Sequence, residues 1–542
     1  MISRHSGIGR RALPLITALL ALAGCGGRAQ SSSPRLVVLV VIDTLRDDHL
    51  TAERMPRTVA ALAGARRFTG TRANASWTLP SMASALTSRP VGELSGSDGT
   101  LVGIPEAETT LAERLHGAGF ATGAFVANGT LRRGNGFAQG FDRFETPTKP
   151  EDPSPDAATV VASARAFLAA QRGRDAFVWL HLMEPHEPWP DREGRGRVAV
   201  QSHVVAHRER LATAAETTAM RELYALDVAA CDAALAPFLE ELPPDAVIVV
   251  TADHGELLGE GETWGGVWGH GLTVYDTVLA VPLLVRAPGV AAGDDPRPAE
   301  LLDLVPTLLA RLPREEPGET GAPLSGVDLV SAPLSAGRPR LAATWSAGPL
   351  RWSYRRGDLA ALAHFSTQAE AASTAAVAVR ETLPLPAGIW AYDPRLDPMA
   401  ERGVPLGGAD LAEVAAAFAH DLGAMVPGFQ ALVVGEAPGG AVEFETAGAA
   451  RLAQLFAAAP LAVERAPGRL RISMPKDSGF VLAAFAADEK LRPLGEGWSL
   501  GRDAPPAIAN PGRASWRNPR PARSQEPQAE LVEHLRALGY LR

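Results

Sequence analysis

The chain has 542 residues, of which 46% are hydrophobic and 21% are charged. This balance is ordinary for a globular protein and excludes bulk disorder, and the length is enough for one large domain and a smaller module. Lys and Arg total 52 against 61 Asp and Glu, which gives a net charge of −9. Because binding to a phosphate backbone requires a basic face, we expect no nucleic-acid partner.

The N-terminus predicts an export signal. Basic residues precede an apolar run over residues 12–23 that is too short to span a bilayer. The run ends in Leu22–Cys25 (Leu-Ala-Gly-Cys), which is similar to a bacterial lipobox. We therefore expect residues 1–25 to form a lipoprotein signal peptide, with Cys25 as the lipidated first residue of the mature protein; an ordinary secretory signal is the alternative. Residues 26–34, rich in Gly and Ser, predict a flexible tether to a bacterial cell-envelope membrane, on its periplasmic or extracellular face.

Apolar runs and helical segments alternate in the following three hundred or so residues. Three β-branched runs predict strands that are buried on both faces of a parallel sheet. The fold class is therefore α/β, with a mostly parallel central sheet flanked by helices and a smaller C-terminal α+β part. The predicted strands are Leu36–Ile42, Ala176–Leu182 and Ala246–Thr251, and the predicted helices are Leu111–Gly117 (opened by a capping box at Thr110 and Glu113), Ala157–Gln171 and Met220–Glu241.

The pattern changes near residue 340, where short strands and turns replace the alternation. We therefore separate a main domain, residues 35–340, from a subdomain at 341–405 and an accessory extension of unknown role at 406–542. In the extension, an Ala-rich helix is followed by strand-like runs, then by a Pro- and Arg-rich loop at 504–527 and a short helix at 530–538. The predicted strands there are Phe429–Val434, Arg469–Ser473 and Phe480–Ala484.

Polar side chains follow the predicted strands at the points where they end. Asp43 follows the first strand, and Asp253 and His254 follow the third. Because the carboxyl ends of parallel strands meet at one edge of a sheet, these residues are expected to lie together. Carboxylate oxygens and an imidazole nitrogen suit one divalent metal ion. Zinc or manganese is favoured by this donor set, and calcium or magnesium is left open.

Thr78 is the candidate nucleophile. It precedes Pro80, a residue typical of the first turn of a helix, so its hydroxyl is expected near free N–H groups that favour an anion. A hydroxyl is a weak nucleophile until a bound metal lowers its pKa. His186 and His270 are then available as donors to the anion or to the leaving group. Together these residues predict transfer of a tetrahedral oxyanion group through a covalent intermediate.

Four fragments resemble, in their order and spacing, the sulfatase family and its sulfatase-like relatives in the alkaline-phosphatase superfamily. The resemblance implies an alkaline-phosphatase-like fold, with residues 35–340 as the catalytic domain and 341–405 as its C-terminal subdomain. It also implies that Asp43, Asp253 and His254 are metal ligands, with Thr78 as nucleophile and fourth ligand, and that His186 and His270 contact the substrate. The fragments are Val41–His49, Ser76–Ser84, Met183–Trp189 and Thr251–Glu256, with Trp268–Gly271 downstream.

The chain also departs from the sulfatase pattern. Sulfatases carry Cys or Ser at the position of Thr78 and oxidise it to formylglycine; threonine cannot form that aldehyde, and Met82 replaces the accompanying arginine, so no formylglycine is expected. Thr44 replaces a second Asp, His254 replaces an Asn, and the lysine expected near Asn128 is missing. These changes resemble the phosphoethanolamine and phosphoglycerol transferases of the superfamily, which use threonine and one metal. Those enzymes carry several transmembrane helices, whereas no run after the signal here is long and apolar enough to span.

The favoured function is a phosphoester hydrolase or phosphotransferase that acts through phosphothreonine at Thr78. Its substrate is expected to be a small-molecule, lipid head-group or glycan ester. A sulfuric ester hydrolase without formylglycine is the first alternative, although threonine lacks the second hydroxyl by which formylglycine expels sulfate. A catalytically degenerate envelope protein that binds a glycan or lipid head group is the second.

Four further polar residues are interpreted as structural. Arg46 and Asn128 are expected to make structural hydrogen bonds, His181 to be a hydrogen-bonded core histidine, and Asp303 to begin a helix.

Overall fold

An eight-stranded sheet forms the centre of the protein. The computed structural model describes residues 35–94, 103–147, 154–190, 212–261, 266–271, 273–312, 324–344 and 351–356, and beyond these Ala417, Asp421 and the strands given below. The first ten strands are β1 (Leu36–Ile42), β2 (Arg66–Arg72), β3 (Ala121–Val126), β4 (Arg143–Glu145), β5 (Ala176–Leu182), β6 (Val247–Thr251), β7 (Leu257–Glu260), β8 (Val267–Gly269), β9 (Leu283–Arg286) and β10 (Gly293–Glu300).

The order of the central sheet is β10-β2-β9-β6-β1-β5-β3-β4, while β7 and β8 form a separate hairpin. Strand β9 runs antiparallel to β2 and β6, and the other neighbours in the central sheet are parallel. The middle strands β1, β5 and β6 are apolar along almost their whole length because both of their faces are buried. The predicted mostly parallel α/β sheet is confirmed, and β1 and β5 have the predicted bounds.

Helices cover the sheet, and α5 contacts β3 and β5. The capping box at Thr110 and Glu113 is present, as predicted. The longest helix begins at Ala214 rather than Met220, because a second capping box, at Thr213 and Glu216, opens it ahead of its apolar positions. The helices are α1 (Pro56–Ala61), α2 (Thr78–Thr87), α3 (Val91–Leu94), α4 (Leu111–Gly117), α5 (Ala157–Ala170), α6 (Ala214–Glu241), α7 (Asp276–Leu279) and α8 (Leu304–Leu309).

The described elements beyond residue 340 are strands in three antiparallel sheets. Strands β11 to β15 pair in chain order, and β16 to β23 form two sheets of order β18-β21-β16-β23 and β19-β20-β17-β22. The strands are β11 (Arg340–Thr344), β12 (Arg351–Arg356), β13 (Leu359–His364), β14 (Gly388–Ala391), β15 (Val404–Pro405), β16 (Phe429–Val434), β17 (Ala441–Glu445), β18 (Leu452–Ala457), β19 (Ala462–Ala466), β20 (Arg469–Ser473), β21 (Val481–Ala486), β22 (Arg492–Leu494) and β23 (Ser499–Leu500).

The strand predictions for the C-terminal part hold closely: β16 and β20 have the predicted bounds, and β21 begins one residue after the predicted start. Apart from Ala417 and Asp421, which are helical, the Ala-rich helix lies outside the described residues, as do the loop at 504–527 and the helix at 530–538. The signal peptide and tether, residues 1–34, lie outside them too. None of the described helices combines the length and apolarity that a membrane span requires.

Candidate active site

Four neighbouring strands, β6-β1-β5-β3, bring the candidate residues to one edge of the sheet. Asp253 and His254 follow β6, Asp43 follows β1, His186 follows β5, and Asn128 follows β3. The Asp43 backbone N–H donates to Leu182 O at 2.9 Å, so the loop after β1 stays in register with the end of β5. The carboxyl ends of these strands therefore build the site, as the strand-end pattern predicts.

Asp43, Asp253 and His254 are completely buried, and their donor atoms lie within 4.8 Å of one another. The Nε2 atom of His254 is 3.4 Å from Asp253 Oδ2 and 3.7 Å from Asp43 Oδ1. Thr78 Oγ1 completes the group, at 3.4 Å from Asp43 Oδ2 and 3.3 Å from His254 Nε2. The structure thus brings together all four residues that the sequence singles out as ligands.

This group fits a divalent cation. Asp43 Oδ1 and Asp253 Oδ2 are buried and have no hydrogen-bond partner among the described residues, which is costly for a carboxylate unless a cation compensates it. His254 donates from Nδ1 to Gly255 O at 2.9 Å, and burial lowers its pKa to about 4, so its Nε2 is the unprotonated nitrogen that a metal requires. Bonds of 2.0–2.1 Å to a tetrahedral ion place donor atoms about 3.3–3.4 Å apart, close to the distances found here.

Backbone geometry orients Asp253. Thr44 has a φ of 57°, in the left-handed region that a β-branched residue rarely adopts. Its N–H donates to Asp253 Oδ1 at 3.2 Å, and the His254 N–H donates to the same oxygen at 2.8 Å. One carboxylate oxygen is therefore held by the backbone while Oδ2 faces the donor group. Burial alone would raise the pKa of Asp253, but the imidazoles of His254 and His181 hold it below its usual range.

Asn128 makes the expected structural hydrogen bonds, but it makes them within the site. Its amide Nδ2 donates to Asp43 Oδ2 at 2.9 Å and lies 3.4 Å from Thr78 Oγ1. Its Oδ1 accepts from the N–H of Thr130, which fixes the direction of the amide. Asn128 therefore orients Asp43 and contacts the candidate nucleophile.

Arg46 has the predicted structural role. Its guanidinium pairs with Asp48 and Glu260 and donates to the carbonyl of Glu256 at 3.2 Å. These contacts join the loop after β1 to the β7–β8 hairpin.

Three imidazoles form a row beside Thr78. The ring centroid of His270 is 4.5 Å from that of His254 and 5.0 Å from that of His186. His186 donates from Nδ1 to Glu187 O at 2.6 Å, which sets its tautomer because a carbonyl oxygen can only accept. Burial alone would lower the pKa of His186, but nearby carboxylates, with Asp43 first among them, raise it.

Glu256 is a site residue that the sequence reasoning missed. It is completely buried, and its two carboxylate oxygens lie 3.0 and 3.1 Å from His270 Nδ1. Burial raises the pKa of Glu256 and lowers that of His270 to about 3, so the pair is held close to neutral. The sequence feature that could have identified Glu256 as a site residue is its position two residues after His254. Gly255 between them is required by space, since a Cβ there would lie 2.5 Å from Thr277 O.

Helix α2 begins at Thr78 and is buried throughout. Thr78, its first residue, contacts Asp43 and His254, so the positive end of the helix dipole lies at the donor group. Ser81 in the same turn donates to Asp253 O at 2.6 Å. Ser76 lies two residues before the helix, and its carbonyl accepts from the Gly271 N–H at 2.7 Å. This hydrogen bond anchors the loop that carries His270.

The expectation for His181 is wrong in one respect. The side chain is completely buried in β5, as predicted, but neither ring nitrogen has a hydrogen-bond partner among the residues that the structure describes. Asp303 ends a 3-10 turn immediately before α8, in agreement with the predicted helix start.

The mostly parallel sheet, with the buried group at its carboxyl edge, has the expected alkaline-phosphatase-like fold. The chain belongs to the sulfatase family: the family model described as Sulfatase matches residues 35–313. This assignment places it among ester-hydrolysing enzymes and confirms the resemblance found in the four fragments.

A curated relative is the low-salt glycan biosynthesis sulfotransferase of Haloferax volcanii, 41% identical over 75 residues. The match covers 14% of this chain and spans 18% of that relative's length.

Several solved structures share the fold. The phosphonate monoester hydrolase of Silicibacter pomeroyi is 19% identical, with a TM-score of 0.51, and the match covers 71% of this chain and 94% of the hydrolase. The phosphonate monoester hydrolase of Agrobacterium radiobacter is 17% identical, with a TM-score of 0.52, and the match covers 72% of this chain and 95% of that hydrolase. A protein solved in complex with its substrate D-glucosamine-2-N,6-O-disulfate is 16% identical, with a TM-score of 0.51, and the match covers 68% of this chain and 93% of that protein. At these identities the likeness shows the fold.

Proposed function

We propose that this sulfatase-family enzyme is a metal-dependent phosphoester hydrolase or phosphotransferase that acts through a covalent intermediate on Thr78. The observation that supports it is the position of Thr78 Oγ1, within 3.4 Å of donor atoms of both Asp43 and His254 in the candidate metal group. A bound divalent ion lowers the pKa of the threonine hydroxyl and offsets charge on the transferred group. The small donor set, which includes an imidazole nitrogen, favours zinc over calcium, which takes six to eight oxygen ligands.

In the first step, Thr78 Oγ forms a bond to phosphorus while the bond from phosphorus to the leaving alcohol breaks. The hydroxyl proton of Thr78 passes to water, and the leaving oxygen takes up a proton from the imidazole row of His186 and His270. In the second step, water or an acceptor alcohol attacks phosphorus and returns a proton to the imidazole row, the Oγ–phosphorus bond breaks, and Thr78 takes up a proton from water. We propose that the amide of Asn128, which lies 3.4 Å from Thr78 Oγ1, and the positive end of the α2 dipole stabilise the anion.

Phosphoryl transfer is favoured over sulfate hydrolysis because of the chemistry of threonine. Formylglycine expels sulfate through its second hydroxyl, and threonine has no equivalent group. A phosphothreonine is instead resolved by attack at phosphorus. We propose a lipid head-group, glycan or other small-molecule ester as the substrate.

Sulfuryl transfer from Thr78 to an acceptor is the second candidate function. It is favoured by one observation, that the Haloferax volcanii relative is named a sulfotransferase. In this case the acceptor attacks sulfur, and no second hydroxyl is needed.

The test is to trap the intermediate. The zinc-loaded protein is incubated with an aryl phosphodiester or an aryl sulfate and quenched in acid, and the modified peptide is mapped by mass spectrometry. We expect the phosphoryl group, still carrying its second ester substituent, on Thr78; sulfate on Thr78 from the aryl sulfate would support the second candidate instead.

Substitutions of the nucleophile complete this test. We expect Thr78→Ala to lose about four orders of magnitude in kcat, and Thr78→Ser to keep part of the rate because its hydroxyl survives. Thr159→Ala, on exposed helix surface, is the matched control. Full activity of Thr78→Ala would show that water attacks the substrate directly and that there is no covalent intermediate.

A further inference from the structure

His181 is a buried polar residue that the mechanism above does not use. It lies in β5 between apolar residues, with Trp179 edge-on to its ring at a centroid distance of 6.1 Å. The side chain is completely buried, and neither Nδ1 nor Nε2 has a hydrogen-bond partner in the described ranges. Burying a polar group without a partner destabilises a fold, so a histidine of this kind in a central strand requires an explanation.

The ring is directed at the candidate metal group. His181 Nε2 lies 3.9 Å from Asp43 Oδ2 and 3.9 Å from Asp253 Oδ2, equally far from the two acids. His181 is not one of the three residues whose donor atoms all lie within 4.8 Å of one another. Its place is therefore behind the two carboxylates and outside the ligand set.

The register of the sheet produces this placement. His181 pairs with Val41 of β1, two residues before Asp43. Its carbonyl accepts from the Ala127 N–H at 2.9 Å, and the Asp43 N–H donates to the next carbonyl, that of Leu182. Backbone hydrogen bonds to the segments that follow β1 and β3 thus fix the end of β5, and with it the imidazole, next to the loop that carries Asp43.

We infer that His181 is a positioning residue of the metal centre. Its Nε2–H points between the carboxylates of Asp43 and Asp253, weakens the repulsion between them and keeps their oxygens directed toward the ion. Groups of this kind around metal ligands contribute about 10–100-fold to metal affinity. The inference rests on the proposed function, because it assumes that Asp43, Asp253 and His254 bind a metal.

The test measures zinc affinity and the thermal stability of the metal-free protein separately. Zinc affinity is obtained by competition with a chromophoric chelator. We expect His181→Phe to bind zinc about 10–100-fold more weakly. We expect the melting temperature of the metal-free protein to change little, because the removal of a buried polar group without a hydrogen-bond partner offsets the stronger repulsion between the two acids. His181→Gln, which keeps a side-chain N–H donor, should recover part of the affinity.

Trp179→Phe is the matched control, because it changes the packing of the same strand next to His181. We expect it to lower the melting temperature of the metal-free protein and to leave zinc affinity unchanged. If His181→Phe behaves like this control, His181 has a packing role and the inference is wrong while the metal centre stands. If the wild-type protein binds no stoichiometric zinc, both the inference and the proposed metal centre are overturned.

Discussion

At the scale of single residues, the site depends on two acids whose free oxygens face each other in the interior. Asp43 Oδ1 and Asp253 Oδ2 have no hydrogen-bond partner in the described part of the chain, whereas other oxygens of the same residues are held by Asn128, Thr44 and the His254 backbone. The fold therefore directs negative charge to one point. A divalent ion there would offset the repulsion between the two acids.

The first prediction concerns these ligands. We expect Asp253→Ala and His254→Ala to abolish metal binding and turnover, because the three donors that remain form an open, weaker site. Metal content after purification, measured by elemental mass spectrometry, is the readout. Asp232→Asn is the control, since that buried acid caps α1 through Thr58 N at 2.7 Å. Full occupancy in the Asp253→Ala/His254→Ala double variant would disprove the assignment.

The second prediction concerns Glu256, whose carboxylate holds His270 through Nδ1. We expect Glu256→Ala to lower kcat by about 100-fold, because His270 loses its orientation and its proton partner. The loss should be larger for an alkyl leaving group than for nitrophenol, which needs no proton. Glu256→Gln keeps an oxygen acceptor and should lose less. An equal loss for both leaving groups would show that Glu256 does not act through proton transfer.

At the scale of elements, a buried ion network joins β10 to the start of β11. Arg338 pairs with Asp303 at 2.7 Å and lies 3.5 Å from Glu300. Glu300 also accepts from Leu341 N at 3.2 Å. Burial raises the pKa of Glu300 to about 7, despite the neighbouring arginine.

The third prediction follows from this shift. A raised pKa in the folded state means that the folded protein holds the Glu300 proton more tightly than the unfolded chain does. Its stabilising contribution is full below the ordinary value of 4.5 and is lost as the pH rises through about 7. We expect the melting temperature of the wild type to fall relative to Glu300→Gln between pH 5 and pH 8. Parallel melting profiles for the two proteins would contradict this account.

At the scale of the whole molecule, we propose that the enzyme is tethered to a bacterial envelope membrane through Cys25. The proposal rests on the Leu22–Cys25 pattern after a short apolar run. We expect lipid on Cys25 in the mature protein and unprocessed, unlipidated protein from Cys25→Ser. Mass spectrometry of the N-terminal peptide decides this. A wild-type protein that is cleaved but carries no lipid would support the ordinary secretory signal instead.

Much of the fold follows from local patterns. Leu36–Ile42 and Ala176–Leu182 could be assigned as buried strands because they are apolar on both faces, and Leu111–Gly117 could be bounded by its capping box. Helix α6 was placed too short because its first turn, from Ala214, has no apolar periodicity. The sheets at β16–β23 were visible as strand-like runs, but their pairing was not.

The sequence by itself determined four residues of the candidate site and the family to which the chain belongs. Asp43, Thr78, Asp253 and His254 stand in fragments whose order and spacing are specific. Only the tertiary structure decided how Glu256 pairs with His270 and why His181 lies behind the acids. Those relations depend on the strand order β6-β1-β5-β3 and on the close return of the Gly271 loop to Ser76. Contacts between distant segments are set by the global packing of the chain, which no local pattern of residues specifies.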